Sequence, residues 1–387
     1  MLEGTNVALG VTGSVAAVRV VELAHEFRRR GASVRAVMTE GATGIVTPEA
    51  VAYATGEPVT TELTGAVEHV ELCGLDGWAD VFVVAPATAN TVGKVAAAVD
   101  DTPVTTAATV AVGADTPTVV APAMHEPMYD HPGVLDAIER LESWGVDVLD
   151  PRIEEGKAKI PTEEAIVLAA ARAAGERPLA GRRVVVTSGA TREPVDPVRV
   201  LTNRATGRTG RAVAQACYVR GADVVLVHDG PEVPYADVRR AETAMELLGA
   251  VEGACADADA LVSAAAIGDY RPRDPADEKL PSGREDLSVD LEPTPKLLDR
   301  VRASRPDLPM VGFKLETGGD DEALVAAARE LRERVDLAFV VANDASAMGG
   351  DRTRTLLVDD AGEEAFEGSK TALGLRVADD LAAVLAD

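Results

Sequence analysis

The chain repeats one local pattern at the start of each of its two halves, and this pattern restricts the fold more than any other feature. The first copy, NVALGVTGSVAAVRVVELAHEFRRRGASVRAVMT, predicts a strand, a glycine turn, a helix, a glycine stop and a second strand. The second copy, RRVVVTSGA and then GRTGRAVAQACYVRGADVVLVHD, has the same order with a long inserted loop. Strands made almost entirely of Val, Leu and Ala that alternate with helices indicate parallel sheets covered on both faces. We therefore predict an α/β fold with two doubly wound, mostly parallel-sheet Rossmann-like domains in tandem.

A change of composition marks the predicted boundary between the two domains. In AAGERPLAG a helical pattern gives way to Gly, Pro and charge, which predicts domains at 1–175 and 181–387. Both helices that follow the glycine turns end in Arg-Gly, at Gly31 and Gly221, as helix C-termini commonly do. Further strands are predicted in DVFVVAP, PTVVAPA, VDVLD, ADALVSAAA, LSVDLE, MVGFKLE and LAFVVAN, followed by a hairpin in RTLLVDDAGEEAFEG and a closing helix from Lys370.

The net charge of −26 excludes some classes of partner. So acidic a surface repels phosphates, which argues against nucleic-acid binding. The negative charge has two possible explanations, binding of a basic partner or solubility at very high salt. Because the charge is spread along the whole chain, we favour solubility at high salt, which is typical of proteins from extreme halophiles. No apolar run reaches the roughly 18 residues of a membrane span, and no signal segment is evident, so we expect a soluble cytoplasmic protein. Three widely spaced cysteines argue against a disulfide framework or a zinc site.

The first glycine turn, GVTGSVAA, has the features of an anion-binding site. Gly10 and Gly13 permit a tight turn, and the amides of Ser14 and Val15 begin a helix whose dipole favours a phosphate. Thr39, just after the second predicted strand, can add a hydroxyl to the same phosphate. Spacing alone leaves open the alternative that Gly-Ser is merely a helix cap.

Four segments of the first half together resemble the flavin-containing cysteine decarboxylases: GSVA at Gly13–Ala16, HVEL at His69–Leu72, APATAN at Ala85–Asn90 and PAMHEPMY at Pro122–Tyr129. The resemblance implies decarboxylation of 4′-phosphopantothenoylcysteine with FMN. In this reaction the flavin oxidises the substrate thiol to a thioaldehyde, which makes loss of CO2 easier, and the reduced flavin then returns the electrons to the product. The implied flavin contacts are Gly13, Ser14, Val15, Thr39, Pro86, Thr88 and Asn90. His69 matches the essential histidine of the family; the alternative is a polar residue on a half-buried strand.

Two positions depart from the pattern of these decarboxylases. His125 stands where the family has a substrate-holding Asn, and an imidazole N–H can hold a carboxylate. The family's flap, with its proton-donating Cys, corresponds to residues 151–161, which read PRIEEGKAKIP and contain no Cys. Lys157 or Lys159 can supply that proton. Equally, both lysines can attract the substrate phosphate or balance the neighbouring glutamates.

The inserted loop of the second half, TSGATREPVDPVRVLTNRATGRTG, closely resembles the signature of phosphopantothenate–cysteine ligases. A loop of this length inside a compact domain usually has a function, and its prolines prevent an early helix. The resemblance implies activation of the 4′-phosphopantothenate carboxylate by a nucleoside triphosphate, then amide formation with cysteine. It also implies that Asn203 stabilises the acyl-nucleotide. Gly207 and Gly210 begin the next helix, a second expected anion site.

Other segments resemble the nucleotide-binding parts of these ligases, and the implied contacts are Ser263, Ala264, Asp269, Lys279, Pro295, Lys296, Leu297, Leu298, Phe313 and Arg329. Lys279 matches the catalytic lysine. Of 38 basic residues only seven are Lys, so a retained Lys suggests a need for a compact charge, and this argument extends more weakly to Lys296 and Lys314. The family has two basic residues in the next helix; here Arg329 keeps the positive charge, but Glu333 replaces the other. The sequence therefore does not decide whether the nucleotide is CTP or ATP. Mg2+ is expected with the triphosphate, at ligands that the sequence does not identify.

Together the two halves predict a bifunctional enzyme of coenzyme A biosynthesis that makes 4′-phosphopantetheine. One alternative is a ligase whose first half is only a flavin-binding scaffold. Another is an unrelated Rossmann oxidoreductase, although Val37-Met38-Thr39 lacks the acidic residue that binds a ribose. In the family the flavin halves form trimers and the ligase halves form dimers, so we expect a homo-oligomer.

Overall fold

Each copy of the strand–turn–helix pattern forms in the structure and lies within a sheet of its own. The structure is a computed structural model that describes residues 1–281, 286–316, 320–344 and 352–386. The chain divides into two compact units, Met1–Glu176 and Arg177–Asp387.

The first unit is built on a parallel sheet with helices on both faces. Its strands are β1 (Asn6–Val11), β2 (Ser33–Met38), β3 (Val81–Ala87), β4 (Thr118–Pro122), β5 (Met124–His125), β6 (Asp147–Val148), β7 (Arg152–Glu154) and β8 (Lys157–Lys159). Its α-helices are α1 (Val20–Arg29), α2 (Glu40–Thr43), α3 (Pro48–Thr55), α4 (Glu68–Cys73), α5 (Ala89–Ala96), α6 (Pro103–Gly113), α7 (Glu126–Tyr129), α8 (Pro132–Ser143) and α9 (Glu163–Ala174). The strand order is β2-β1-β3-β4-β6, all parallel, and β5, β8 and β7 form a separate antiparallel sheet.

Helix α1 shows how the sequence pattern produces this packing. Its apolar residues recur at helical spacing, and the side chains of Val20, Leu23, Ala24 and Phe27 are all buried. Burial of each of the three larger side chains contributes about 1.5–3 kcal/mol to folding. The helix stops at Gly31, whose φ of +98° is costly for other residues. The chain can then enter β2, which pairs in parallel with β1.

The second unit contains a larger mixed sheet. Its strands are β9 (Arg183–Thr187), β10 (Arg192–Pro194), β11 (Val200–Thr202), β12 (Asp223–His228), β13 (Asp237–Arg240), β14 (Ala260–Ser263), β15 (Tyr270–Pro272), β16 (Leu291–Pro293), β17 (Met310–Glu316), β18 (Phe339–Asp344), β19 (Arg352–Val358) and β20 (Glu363–Ser369). Its helices are α10 (Arg208–Val219), α11 (Ala244–Ala254), α12 (Leu297–Ser304), α13 (Asp321–Val335) and α14 (Lys370–Val384). The order is β13-β12-β9-β14-β17-β18-β19-β20, parallel up to β18, with the predicted terminal hairpin β19–β20 antiparallel.

The predicted fold class is confirmed, but three strands were predicted too long. Of ADALVSAAA only Ala260–Ser263 form a strand, β14. The segment LSVDLE contributes only its last two residues to β16, which pairs with β15 outside the main sheet. Its polar residues leave no continuous apolar run to bury on two faces. VDVLD shortens to β6 at the edge of the first sheet. No described helix is both long and apolar enough to cross a membrane.

Candidate active sites

In the first unit, three turns at the carboxyl ends of the strands are tied together by hydroxyl groups. The buried Thr12 Oγ1 donates to the carbonyl of Pro86 at 2.7 Å and accepts from the amide of Thr88 at 3.2 Å. Ser14 Oγ donates to the carbonyl of Ala123 at 3.2 Å. These bonds hold the turn after β1 against the ends of β3 and β4, so the predicted phosphate and ring contacts lie at one edge of the sheet.

The phosphate turn itself is built without bulky side chains. Ser14 caps a 3-10 helix over Val15–Arg19 that precedes α1. Of the two amides predicted to bind the phosphate, that of Ser14 already donates to the carbonyl of Thr12 at 2.8 Å. A Cβ on Gly13 would lie 3.0 Å from the carbonyl carbon of Gly41, so the turns after β1 and β2 approach closely only because glycine is present. Thr39 caps α2 by accepting from the amide of Ala42 at 3.3 Å.

The surroundings of this turn fit a flavin phosphate. Val15 is 80% exposed, Asn90 is exposed and Thr88 is half-buried, so these side chains lie at the surface of the edge. All seven implied flavin contacts are uncharged and therefore do not repel an anion.

His69 lies on a helix, so the alternative that placed it on a half-buried strand is wrong about its element. It belongs to α4, which spans Glu68–Cys73. The His69 Nδ1 atom is buried and has no hydrogen-bond partner in the part of the chain that the structure describes. A buried polar atom without a partner is costly, so a bound ligand that paired with it would recover free energy.

His125 and the flap region form one small sheet. His125 in β5 is directly opposite Lys157 in β8, and Lys157 is in turn opposite Glu154 in β7. Residues directly opposite one another in an antiparallel pair have side chains on the same face, with Cβ atoms about 5 Å apart. The two exposed side chains of His125 and Lys157 therefore share a face.

The two flap lysines are in different electrostatic environments. Lys159 Nζ donates to Glu154 at 2.9 Å and to Glu155 at 3.0 Å. These hydrogen bonds raise the pKa of Lys159 above its ordinary value, which makes it a weaker proton donor. For Lys159 the structure favours the alternative in which the lysine balances glutamates.

Cys73, Cys217 and Cys255 are buried, and none forms a disulfide. Burial raises the pKa of each thiol to about 12. None of them can therefore take over the role of a reactive flap thiol near neutral pH.

In the second unit, a cleft with a volume of about 680 Å³ opens at the carboxyl ends of the central strands. Most of the implied ligase residues line it, namely Asn203, Gly207, Gly210, Ser263, Ala264, Asp269, Pro295, Lys296, Leu297, Leu298, Phe313 and Lys314. This size is within the ordinary range of small-molecule sites.

The start of α10 forms one wall of this cleft. Gly207 caps the helix with a φ of +71°, and a Cβ there would lie 2.9 Å from both Gly189 N and Ser188 Oγ. A Cβ on Gly210 would lie 2.7 Å from Ser188 Cβ. Glycine at both positions lets the helix start approach the turn after β9, and both glycines line the cleft.

The inserted loop is an ordered hairpin, β10–β11, attached to the rest of the unit by two buried carboxylates. Glu193 accepts from the amide of Ala244 at 2.8 Å and so caps α11. Asp196 accepts from the amide of Leu280 at 3.1 Å, while its other oxygen accepts from the amides of Val198 and Arg199.

The same loop is joined to the segment after β14. Thr187 Oγ1 accepts from the amide of Ala265 at 3.1 Å, and Thr191 Oγ1 accepts from the amide of Gly268 at 2.9 Å. Asn203 Nδ2 donates to the carbonyl of Ala266 at 3.2 Å. These contacts bring Asn203 beside the predicted nucleotide segment.

Two cleft lysines are held by carboxylates. Lys296 Nζ lies 2.6 Å from Asp269 Oδ1, and Lys314 Nζ lies 2.8 Å from Glu316 Oε1. Both pairs are at least partly exposed, so a polyanionic ligand can compete for the lysines at little cost.

Two implied residues are not part of the cleft wall. Lys279 lies on an exposed segment beside the hairpin β10–β11. Arg329 forms an ion pair with Glu363.

The cleft is also lined by residues that were not predicted as site residues, among them Arg334, Asn343, Thr353 and Lys370. The scarcity of lysine was a signal for Lys370, because it applies to that residue as it does to Lys296. The described residues contain no cluster of His, Cys, Asp or Glu suited to a metal ion.

Comparisons with known proteins agree with these two units. Residues 1–174 match the family model described as Flavoprotein, and residues 179–385 match that described as DNA/pantothenate metabolism flavoprotein C-terminal domain. The chain is therefore a flavoprotein-type α/β protein with a second, pantothenate-metabolism domain. Its relatives place it more narrowly: it belongs to the family of bifunctional coenzyme A biosynthesis proteins, as the sequence predicted.

The relatives match over most of their length. The coenzyme A biosynthesis bifunctional protein CoaBC of Thermococcus kodakarensis is 47% identical over 92% of this chain and 89% of its own. The protein of the same name from Methanocaldococcus jannaschii is 32% identical over 97% and 93%. A crystal structure of the C-terminal domain of a CoaBC protein is 25% identical, covers 55% of this chain and 100% of its own, and has a TM-score of 0.46.

Proposed function

We propose that the chain catalyses two consecutive steps of coenzyme A biosynthesis. Residues 181–387 join cysteine to 4′-phosphopantothenate with a nucleoside triphosphate, and residues 1–175 convert the product to 4′-phosphopantetheine. The observation that carries the proposal is the loop Thr187–Gly210, which brings Asn203 and the glycine-lined start of α10 into one cleft.

The ligase reaction requires activation before the amide bond forms. The carboxylate of 4′-phosphopantothenate attacks the α-phosphorus of CTP or ATP and displaces pyrophosphate. The amine of cysteine then attacks the acyl carbon, and the nucleoside monophosphate and a proton leave. Mg2+ would accompany the triphosphate and neutralise part of its charge.

Three side chains support these steps. Asn203 has two amide N–H donors, of which one is used on Ala266, so the other can donate to the oxyanion that develops during amide formation. Lys296 can release Asp269 to meet a phosphate. Lys279 would bring a compact positive charge to the triphosphate during activation.

In the first unit the turn at Gly13–Val15 would hold the phosphate of FMN, with Thr39, Pro86, Thr88 and Asn90 about the ring. When bound, FMN supplies a two-electron acceptor for the substrate thiol and a donor after loss of CO2. His69 moves a proton, and His125 holds the substrate carboxylate. Lys157, which shares a face with His125, delivers the final proton.

The protein is further proposed to be a cytoplasmic homo-oligomer. The resemblance to the family supports this, since its flavin halves form trimers and its ligase halves form dimers. Light scattering tests this, since a monomeric mass at assay concentrations would contradict it.

A coupled turnover experiment tests the function. The protein is given 4′-phosphopantothenate, cysteine and either CTP or ATP, and pyrophosphate, CO2 and 4′-phosphopantetheine are followed. Pyrophosphate and amide formation without CO2 would support the ligase-only alternative and contradict the decarboxylase assignment. Absence of pyrophosphate with both nucleotides would contradict the ligase assignment.

A further inference from the structure

The segment that carries Lys279 is attached to the ligase hairpin by side chains. The amide of Leu280 donates to Asp196 Oδ2 at 3.1 Å, and the carbonyl of Leu280 accepts from Arg199 Nη1 at 3.2 Å. Arg199 Nη1 also donates to Asp196 Oδ2 at 2.8 Å. One carboxylate and one guanidinium therefore hold the backbone N–H and the backbone carbonyl of Leu280, the residue that follows Lys279.

The segment is attached on the other side of Lys279 as well. The amide of Ala276 donates to the carbonyl of Val195 at 3.0 Å. Lys279 lies between these two attachments with an exposed side chain. The same hairpin runs directly into Asn203 at the end of β11, so one rigid element relates the backbone positions of the two residues.

A carboxylate is required at the centre of this arrangement. The side chain of Asp196 is fully buried, and its two oxygens receive N–H groups from Val198, Arg199 and Leu280. A carboxylate only accepts, whereas an Asn side chain would turn an NH2 group toward donors. Burial alone raises the pKa of Asp196, but the hydrogen bonds from these amides outweigh it and hold the pKa below its usual value.

We propose that Asp196 is a positioning residue of the ligase reaction, which fixes the Lys279 segment against the hairpin so that the lysine reaches the triphosphate. This inference rests on the ligase function proposed above. It assigns to the TREPVDPVR motif a task other than contact with substrate, namely to set the distance between Lys279 and the cleft.

The test uses the full-length protein and the activation half-reaction alone. Exchange of labelled pyrophosphate into the nucleotide, with 4′-phosphopantothenate and without cysteine, reports activation. Asp196→Asn should lower kcat of this exchange by about 10- to 100-fold, as small misplacements do. Its KM for the nucleotide should change by less than about threefold, because the cleft wall is intact.

Glu193→Gln is the matched control. Glu193 is a second buried carboxylate of the same hairpin, but it accepts its hydrogen bond from Ala244 at the start of α11. This variant should lose heat stability while its exchange kcat stays near the parent value. Equal losses of exchange in both variants would overturn the inference, because they would indicate a general effect of loosening the hairpin.

A double-mutant cycle shows whether Asp196 acts through Lys279. Adding Asp196→Asn to Lys279→Met should cause no further loss of exchange. If pyrophosphate exchange is slow in Lys279→Met but normal in Asp196→Asn, the inference is wrong, whereas the proposed function still holds. Parent-level exchange in Lys279→Met would instead refute the catalytic lysine of the proposed function and, with it, this inference.

Hydrogen exchange of the parent protein gives an answer even if the Asp196 variant does not fold. The Leu280 amide should be protected to about the same degree as the amides of the hairpin β10–β11. Exchange of this amide at the rate of an open chain would overturn the inference.

Discussion

Replacement of Asn203 by Asp is the sharpest test of the ligase site, because it changes one donor and almost no volume. The Nδ2 atom lies 3.2 Å from the carbonyl oxygen of Ala266, and the side chain is exposed. In Asn203→Asp a carboxylate oxygen would face that carbonyl, so the hydrogen bond is lost. Loss of one such bond costs about 0.5–1.5 kcal/mol of stability.

The effect on catalysis should be larger than the effect on stability. The variant also loses the N–H that meets the developing oxyanion and places a negative charge beside it. Loss of one oxyanion donor costs about 10²- to 10³-fold in kcat, equivalent to roughly 2.7–4 kcal/mol. We expect amide formation to fall by at least this factor and nucleotide binding to remain close to that of the parent.

The assay separates these two effects. Single-turnover ligation of labelled cysteine reports amide formation, and equilibrium binding of the triphosphate reports the cleft. The melting temperature controls for folding. If the variant ligates cysteine at close to the parent rate, the role assigned to Asn203 is wrong.

Three other perturbations have distinct expected outcomes. Lys157→Met should release CO2 but form less 4′-phosphopantetheine, whereas Lys159→Met should form product normally. Assays of CO2 and of 4′-phosphopantetheine compare the two variants, and equal product formation in both would refute a role for Lys157 that Lys159 does not share. Gly207→Ala forces a side chain into a positive φ and against Ser188, so thermal denaturation should show a loss of more than about 1–2 kcal/mol; unchanged stability would contradict the described turn. The pKa of Asp196 is lower in the folded protein than in the unfolded chain, where it is near 4. Its carboxylate should therefore stabilise the fold fully at pH values above the unfolded-state pKa, and this stabilisation should be lost as the pH falls through the folded-state pKa. The stability difference between the parent and Asp196→Asn should therefore be constant at neutral pH and shrink in acid, and a difference that grows in acid would have the wrong sign.

Much of the architecture was predictable because parallel strands buried on both faces have a simple sequence pattern. β3 and β4 are buried along their full length. β4 lies within the segment predicted from its apolar run, and β3 ends one residue beyond its predicted segment, at Ala87. The pattern failed where burial is partial. LSVDLE has alternating apolar residues, but Leu287 and Val289 are 50% and 41% exposed, so nothing fixes those residues in the sheet.

The sequence predicted at which strand end each site residue lies, but it did not predict which residues contact each other there. Sequence placed Lys296 and Asp269 at the same edge, and only the structure shows that they form an ion pair. It could not distinguish Lys157 from Lys159, because pairing with Glu154 and Glu155 depends on the register of a short hairpin. Asp196 gave no signal of its own, since its partner Leu280 is remote in the chain.

The burial of all three thiols has a practical consequence for work with this chain. Because their pKa values are near 12, alkylating reagents should not modify them while the fold is intact. Cys73 belongs to the first unit, and Cys217 and Cys255 belong to the second. Each unit therefore contains its own chemical reporter of unfolding, and peptide mapping after pulse labelling during denaturation would follow the two units separately in one sample.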